Sequence, residues 1–85
     1  MYNCNMPTND FLANQRYRQH LMSKLWRLRE AKNKTIKEAA KEIGVSESSY
    51  RAYENATVLP TAAKLIRICD YYNVPMDYLT GRRND

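Results

Sequence analysis

Between Arg16 and Asn33 the apolar residues Leu21, Met22, Leu25 and Leu28 return every three or four positions, interleaved with Arg16, Arg18, Lys24, Arg27, Arg29 and Lys32. That period lays an apolar stripe along one side of a helix and charge along the others, so a first helix is predicted from about Arg16 to Asn33. A second helix starts at Thr35. Its hydroxyl and the carboxylate of Glu38, three residues on, can each satisfy a free backbone N–H at a helix start. The apolar face of this helix is Ile36, Ala39, Ala40 and Ile43, and Gly44 stops it by tolerating the left-handed backbone. Ser46 caps a third helix, which sets Tyr50 and Tyr53 on one side and stops around Asn55 and Ala56. After Pro60, Thr61 caps a fourth helix whose wide apolar face holds Leu65, Ile66, Ile68, Cys69 and Tyr72. The stretch "NVPMDYLTG" predicts a short fifth helix, with Pro75 in its first turn, Asp77 near its positive end and Gly81 as its stop. No strand or internal repeat stands out, and the fold class expected is all-α, a compact domain of five short helices.

Composition narrows this to a single small domain. At 85 residues, 44% apolar and 27% charged, with seven Tyr and one Trp, the chain can fold but builds only one modest core. Residues 16–81 are the expected domain. Residues 1–15 read as an N-terminal extension, mobile to about Asp10, in which Phe11 and Leu12, with Tyr17, either lengthen the first helix or pack on a partner subunit. Residues 82–85 are a short tail. There is no bilayer-length apolar run and no signal-like start in "MYNCNMPTND", so the expected location is the cytoplasm, with no membrane partner.

The chemistry of catalysis is missing. Cys4 and Cys69 lie far apart and His20 is the single histidine, so no zinc site or disulfide framework assembles and no metal or cofactor is expected. Cys69 reads as a small buried apolar residue and Cys4 as an exposed thiol. Two glycines, Gly44 and Gly81, are too few for a phosphate-cradling loop. His20, on a basic segment, reads as a solvated surface residue. The chain is not expected to be an enzyme, and no small-molecule substrate is evident.

The second and third helices carry the most information. Ala40 is small, Gly44 follows four residues later, and Tyr50 and Tyr53 follow Ala40 by ten and thirteen; small residues let two helices approach and the glycine permits the sharp turn between them. With this spacing the sequence resembles the Cro and C1 repressor type of helix-turn-helix protein, the Xre-like family. The likeness is carried by "LRE" (28–30), "TIKEAAKEIGVS" (35–46), "YENA" (53–56), Pro60 and "NVPMDYLTG" (73–81), and it covers about 60 of the 85 residues.

The resemblance implies a lambda-repressor-like domain whose third helix enters the major groove of double-stranded DNA while the second crosses the phosphate backbone. Carried over by position, Glu47, Ser48, Arg51 and Ala52 would face the bases, and Ser46 and Asn55 would contact phosphates. Two positions depart from the family pattern: Ile36 stands where a phosphate-binding Gln is common, and Ala56 stands where Gly is common.

Charge adds to this picture. Residues 16–41 hold nine Lys/Arg and two Glu, a net of +7, while residues 42–85 hold five Lys/Arg and six Asp/Glu, a net of −1. Lys37 and Lys41 share a helix face one turn apart, with Lys34 just before the helix, and together form a candidate phosphate-binding stripe. The plain alternative for these lysines is a solvated face, which is the stronger reading for Arg16, Arg18, Arg27 and Arg29. Arg51 reads a guanine or else pairs with Glu47 or Glu54; Glu47 accepts from cytosine or repels wrong partners. Tyr50 and Tyr53 pack in the core rather than stack on bases.

Two functions fit. One is a small sequence-specific transcriptional regulator, a repressor acting as a homodimer through the fifth helix, its flanks or the N-terminal extension. The other is a protein-interaction module, antitoxin-like or an accessory subunit, that keeps the fold with weak or lost DNA binding.

Overall fold

In a computed structural model of the protein, the backbone of residues 7–81 and the side chains of residues 15–81 are described. Five helices follow in chain order: α1 (Pro7–Ala31), α2 (Ile36–Ile43), α3 (Glu47–Glu54), α4 (Ala62–Tyr72) and α5 (Met76–Thr80). Expectations for residues 1–6 (Cys4 among them), for the tail 82–85 and for the side chains of Phe11 and Leu12 lie outside the described residues.

Helix α1 is 25 residues long and starts at Pro7, well before Arg16. Proline suits a first helical turn because its missing N–H has no partner to lose there. The early start left no apolar period to read, since residues 7–15 are mostly polar. Further along, Leu21 and Leu25 are fully buried, and Tyr17 and Leu28 pack against the core beside them. Met22, expected on the same stripe, is instead 44% exposed. It lies about 100° round the helix from Leu21, past the edge of a stripe centred on Leu21, Leu25 and Leu28. Ile66 departs in the same way: one position beyond the buried Leu65, it is exposed.

The helix ends follow local chemistry. Glu38 N–H donates to Thr35 Oγ1 at 3.1 Å and Thr35 N–H donates to Glu38 Oε1 at 2.9 Å, the reciprocal pair expected for α2. Gly44 closes α2 at φ 95°, and its N–H donates back to Ala40. A Cβ at Gly44 would meet only the far end of the exposed Arg67 side chain, which can move aside, so it is the left-handed backbone that calls for glycine here. Ser46 Oγ accepts from Ser49 N–H at 3.1 Å to start α3, and Thr61 Oγ1 accepts from Lys64 N–H at 3.3 Å to start α4. Pro75 sits at the N-cap of α5, one place before its first turn.

Residues from all five helices make one core: Leu21 and Leu25 from α1, Ala39, Ala40 and Ile43 from α2, Tyr50 and Tyr53 from α3, Leu65, Ile68, Cys69 and Tyr72 from α4, and Leu79 from α5. Ala39 and Ala40 have almost no exposed surface, and side chains this small let α3 pack close on α2. Each large core side chain contributes about 1.5–3 kcal/mol of burial. The core tyrosines also need hydrogen bonds, and the Tyr50 and Tyr72 hydroxyls supply one to each other at 2.7 Å. Burial pushes the Tyr50 hydroxyl far above its ordinary pKa, and burial likewise raises the Cys69 thiol. Cys69 is thus the buried apolar residue the sequence suggested.

Candidate nucleic-acid interface

Helix α3 has two unlike sides. Tyr50, Tyr53 and Glu54 face inward and are buried, while Glu47, Ser48, Arg51 and Asn55 are exposed and Ala52 is half-buried. At 3.6 residues per turn the four exposed residues span an arc of about 100°, with Ala52 at its edge. The structure therefore brings the base-facing candidates and Asn55 onto one surface. Across that surface Arg51 Nη2 donates to Glu47 Oε2 at 3.0 Å, with the side chains 54% and 47% exposed. Ser46, just before the helix, accepts from Ser49 N–H at 3.1 Å, and its hydroxyl lies 3.4 Å from that of Ser48, with either able to donate to the other.

A second arginine fixes the inner side. Arg29, from α1, donates Nε to Glu54 Oε2 at 2.7 Å and Nη2 to Glu54 Oε1 at 3.2 Å, while Nη1 donates to the Lys34 carbonyl at 2.9 Å. The Arg29 and Glu54 side chains are only 11% and 7% exposed. One guanidinium thereby ties α1, the loop leading to α2, and the end of α3. The hydrogen bonds that Arg29 donates to Glu54 hold the Arg29 pKa above its ordinary value despite burial. Two readings of the sequence change here: Arg29 is not on a solvated face, and Glu54 is not a partner of Arg51. Helical spacing alone did not decide this, because Glu54 lies about 40° from the buried Tyr50 and about 20° from the exposed Glu47.

Beyond α3 the chain turns through Ala56 at φ 59°, a left-handed conformation that an alanine rarely adopts. Arg18, also read as solvated, donates through Nη1 to the Ala56 carbonyl. Thr57 N–H closes the helix end on the Ala52 carbonyl at 3.0 Å. The departure at Ala56 is accommodated: the turn that glycine would make is made with an alanine and held from α1.

The lysine stripe divides. Lys37 and Lys41 are exposed and form no ion pair among the described residues. Lys34 Nζ, by contrast, lies 3.1 Å from Glu42 Oε2, and Glu42 also accepts from the Tyr71 hydroxyl of α4. Lys32 Nζ sits 4.7 Å from the centre of the Tyr71 ring, completing a cluster on the α4 side of α2. The Tyr71 hydrogen bond, and then Lys34, hold the Glu42 carboxyl below the usual range. Helical spacing puts Lys37 and Lys41 on the flank of α2 turned away from that cluster. Ile36, in the first turn of α2, packs against the core and offers no polar contact. On α1, Lys24 lies over the Tyr78 ring at 4.9 Å, and His20 packs its ring where a side chain on Gly81 would go.

A model of the helix-turn-helix family matches residues 27–79, from the last turns of α1 through most of α5. The chain belongs to the Cro/C1-type helix-turn-helix family. In this family frame α2 and α3 are the paired helices, Gly44 lies in the turn between them, and both Arg29 and Glu54 fall inside the matched segment. The chain is similar to the cryptic phage CTXphi transcriptional repressor RstR of Vibrio cholerae, at 44% identity over 54 residues, 64% of this chain and 48% of that protein. It is also similar to the uncharacterized HTH-type transcriptional regulator YobD of Bacillus subtilis, at 36% identity over 62 residues, 73% of this chain and 55% of that protein. The chain spans about half the length of these curated relatives. No solved structure gives a significant match. Among the described residues no helix is long and apolar enough to cross a membrane, and no group of three or more His, Cys, Asp or Glu is placed to hold a metal ion.

Proposed function

We propose that the chain binds double-stranded DNA selectively and represses transcription as a two-fold homodimer in the cytoplasm, by occluding a promoter rather than by catalysis. The observation that carries this reading is the two-sided α3. Its inner side is locked by Tyr50, Tyr53 and the Arg29–Glu54 pair, while its outer side presents Glu47, Ser48, Arg51 and Ala52 to a groove. Lys37 and Lys41 on the neighbouring helix, with Ser46 and Asn55 at the two ends of α3, would take phosphates on either side. Lys34 would join them only by leaving Glu42, an exposed and therefore weak pair. The names of the two relatives, a transcriptional repressor and a transcriptional regulator, agree with this role. A dimer would set two α3 helices about 34 Å apart, one turn of DNA.

Titrating purified protein against duplex at several salt concentrations tests the reading. Log affinity should fall with log salt at about −0.9 per neutralised phosphate, and Lys37→Ala and Lys41→Ala should each flatten the slope by about that amount. Selecting bound fragments from a random duplex pool gives the site and its half-site spacing together. Failure to bind any duplex at low salt would leave the second reading, an interaction module. That reading is favoured by the loss of a polar contact at Ile36 and by the exposure of Met22 and Trp26 on α1.

A further inference from the structure

The outer side of α3 carries one cation and one anion, and they hold each other. Glu47 is in the first turn, behind the Ser46 cap, and Arg51 follows one turn later, the order in which a Glu–Arg pair on a helix is most favourable. Their neighbours on this surface, Ser48, Ala52 and Asn55, are uncharged. A guanidinium has five N–H donors in one plane, and only Nη2 of Arg51 is engaged by Glu47 among the described residues. The remaining donors keep a defined plane in which to meet the O6 and N7 acceptors of guanine. The carboxylate is an acceptor only. It repels phosphates and the acceptor edges of bases, and while it holds Arg51 it keeps that cation from swinging onto the nearest phosphate.

We propose that Glu47 sets the selectivity of the recognition surface through Arg51, as a positioning residue that suppresses binding to arbitrary duplex rather than as a reader of a base. The proposal rests on the DNA-binding reading above. It assigns to Glu47 the role opposite to that of Lys37 and Lys41: those two add affinity for any sequence, and Glu47 removes it wherever Arg51 does not find its base.

The test compares wild type, Glu47→Ala, Glu47→Gln, Arg51→Ala and the Glu47→Ala/Arg51→Ala double variant. Each is titrated on two duplexes of equal length, one recovered by the wild type from a random pool and one with the same bases scrambled. Both positions are exposed, and unchanged helical circular dichroism confirms that each variant is folded. Glu47→Ala should bind the scrambled duplex several-fold more tightly, with its salt slope steeper by about 0.9 as Arg51 takes a phosphate. The ratio of affinities for the two duplexes should fall. Glu47→Gln, which keeps a hydrogen-bond acceptor for Arg51, should lose less of that ratio. In the Arg51→Ala background the slope change should vanish. The same gain in both backgrounds would overturn the tether, because Glu47 would then act without Arg51. So would a Glu47→Ala loss confined to the selected duplex, which would mark Glu47 as a base reader. If the wild type binds neither duplex at low salt, the DNA-binding reading itself fails and the proposal goes with it.

Discussion

Two arginine–glutamate pairs meet on α3, and they differ in almost everything but their chemistry. Arg29–Glu54 is bidentate, nearly sealed from water, and joins residues 25 apart in the chain; Arg51–Glu47 is a single contact, half-exposed, within one helix. A buried charge has no water to fall back on, so the inner pair is bound to its geometry. The outer pair stays in water, so its loss costs the fold little and changes mainly where the Arg51 guanidinium sits. The same two residue types thus serve as a fixture on one side of the helix and as a surface contact on the other.

The largest effect should come from breaking the fixture. Glu54→Ala is expected to destabilise the domain by about 3 kcal/mol, because Arg29, only 11% exposed, would lose its bidentate partner and keep just the Lys34 carbonyl and the exposed Glu30 carboxylate at 3.8 Å. Replacing both partners with apolar residues, Arg29→Met with Glu54→Leu, should recover much of that loss. Chemical denaturation of the three proteins checks both statements. A Glu54→Ala loss below about 1 kcal/mol would mean that the inner pair behaves like the outer one and the contrast is false. The apolar core sets the scale for this effect: Ile68→Ala, at a fully buried site, should cost about 2–5 kcal/mol.

That contrast also separates what the sequence makes legible from what it hides. The starts of α2, α3 and α4 were readable because Thr35, Glu38, Ser46 and Thr61 act on backbone groups only a few residues away, whereas α1 starts well before its apolar period. The outer surface of α3 was readable for a similar reason, since one helical period sorts Glu47, Ser48, Arg51 and Asn55 from Tyr50 and Tyr53. Glu54 was misread because its charge suggested water and a local partner, whereas its true partner is on another helix. Arg18 and Ala56 make the same kind of long-range contact. Met22 and Ile66 failed by a smaller margin, each one position off a correctly placed apolar stripe.

A middle-sized effect should come from the turn just beyond the inner pair. Ala56 holds a left-handed backbone that costs an L-residue about 1–2 kcal/mol, and glycine would relieve it while adding about 0.5–1 kcal/mol of unfolded-state entropy. Ala56→Gly should therefore stabilise the domain by up to about 1 kcal/mol, raising the thermal midpoint by a few degrees. A lower midpoint would show that the half-buried Ala56 methyl group is worth more in packing than the turn costs in strain. The exposed pair should register less still: Arg51→Ala is expected to change stability by about 0.5 kcal/mol or less while eroding preference among duplexes. A large stability loss there would erase the distinction between the two pairs.

The smallest effect should be electrostatic and lie on the α2–α4 side. Glu42 is exposed, yet the Tyr71 hydroxyl and Lys34 hold its carboxyl below the ordinary value of 4.5. A carboxyl that is more acidic folded than unfolded releases its proton more readily in the folded state. Its contribution to stability is therefore complete above pH 4.5 and is lost as pH falls through the lower folded value. Glu42→Gln should remove that part of the acid sensitivity, so the wild type should be slightly the more stable above pH 4.5, and the two stability curves should converge as pH falls through the lower folded value. Salt should narrow the gap, since Lys34 and Lys32 act on Glu42 from the surface, where charges are screened. Denaturation midpoints measured across this range at two salt concentrations are the check. A gap that ignores salt would assign the effect to the Tyr71 hydrogen bond alone, making this third contact more like the buried pair than the exposed one.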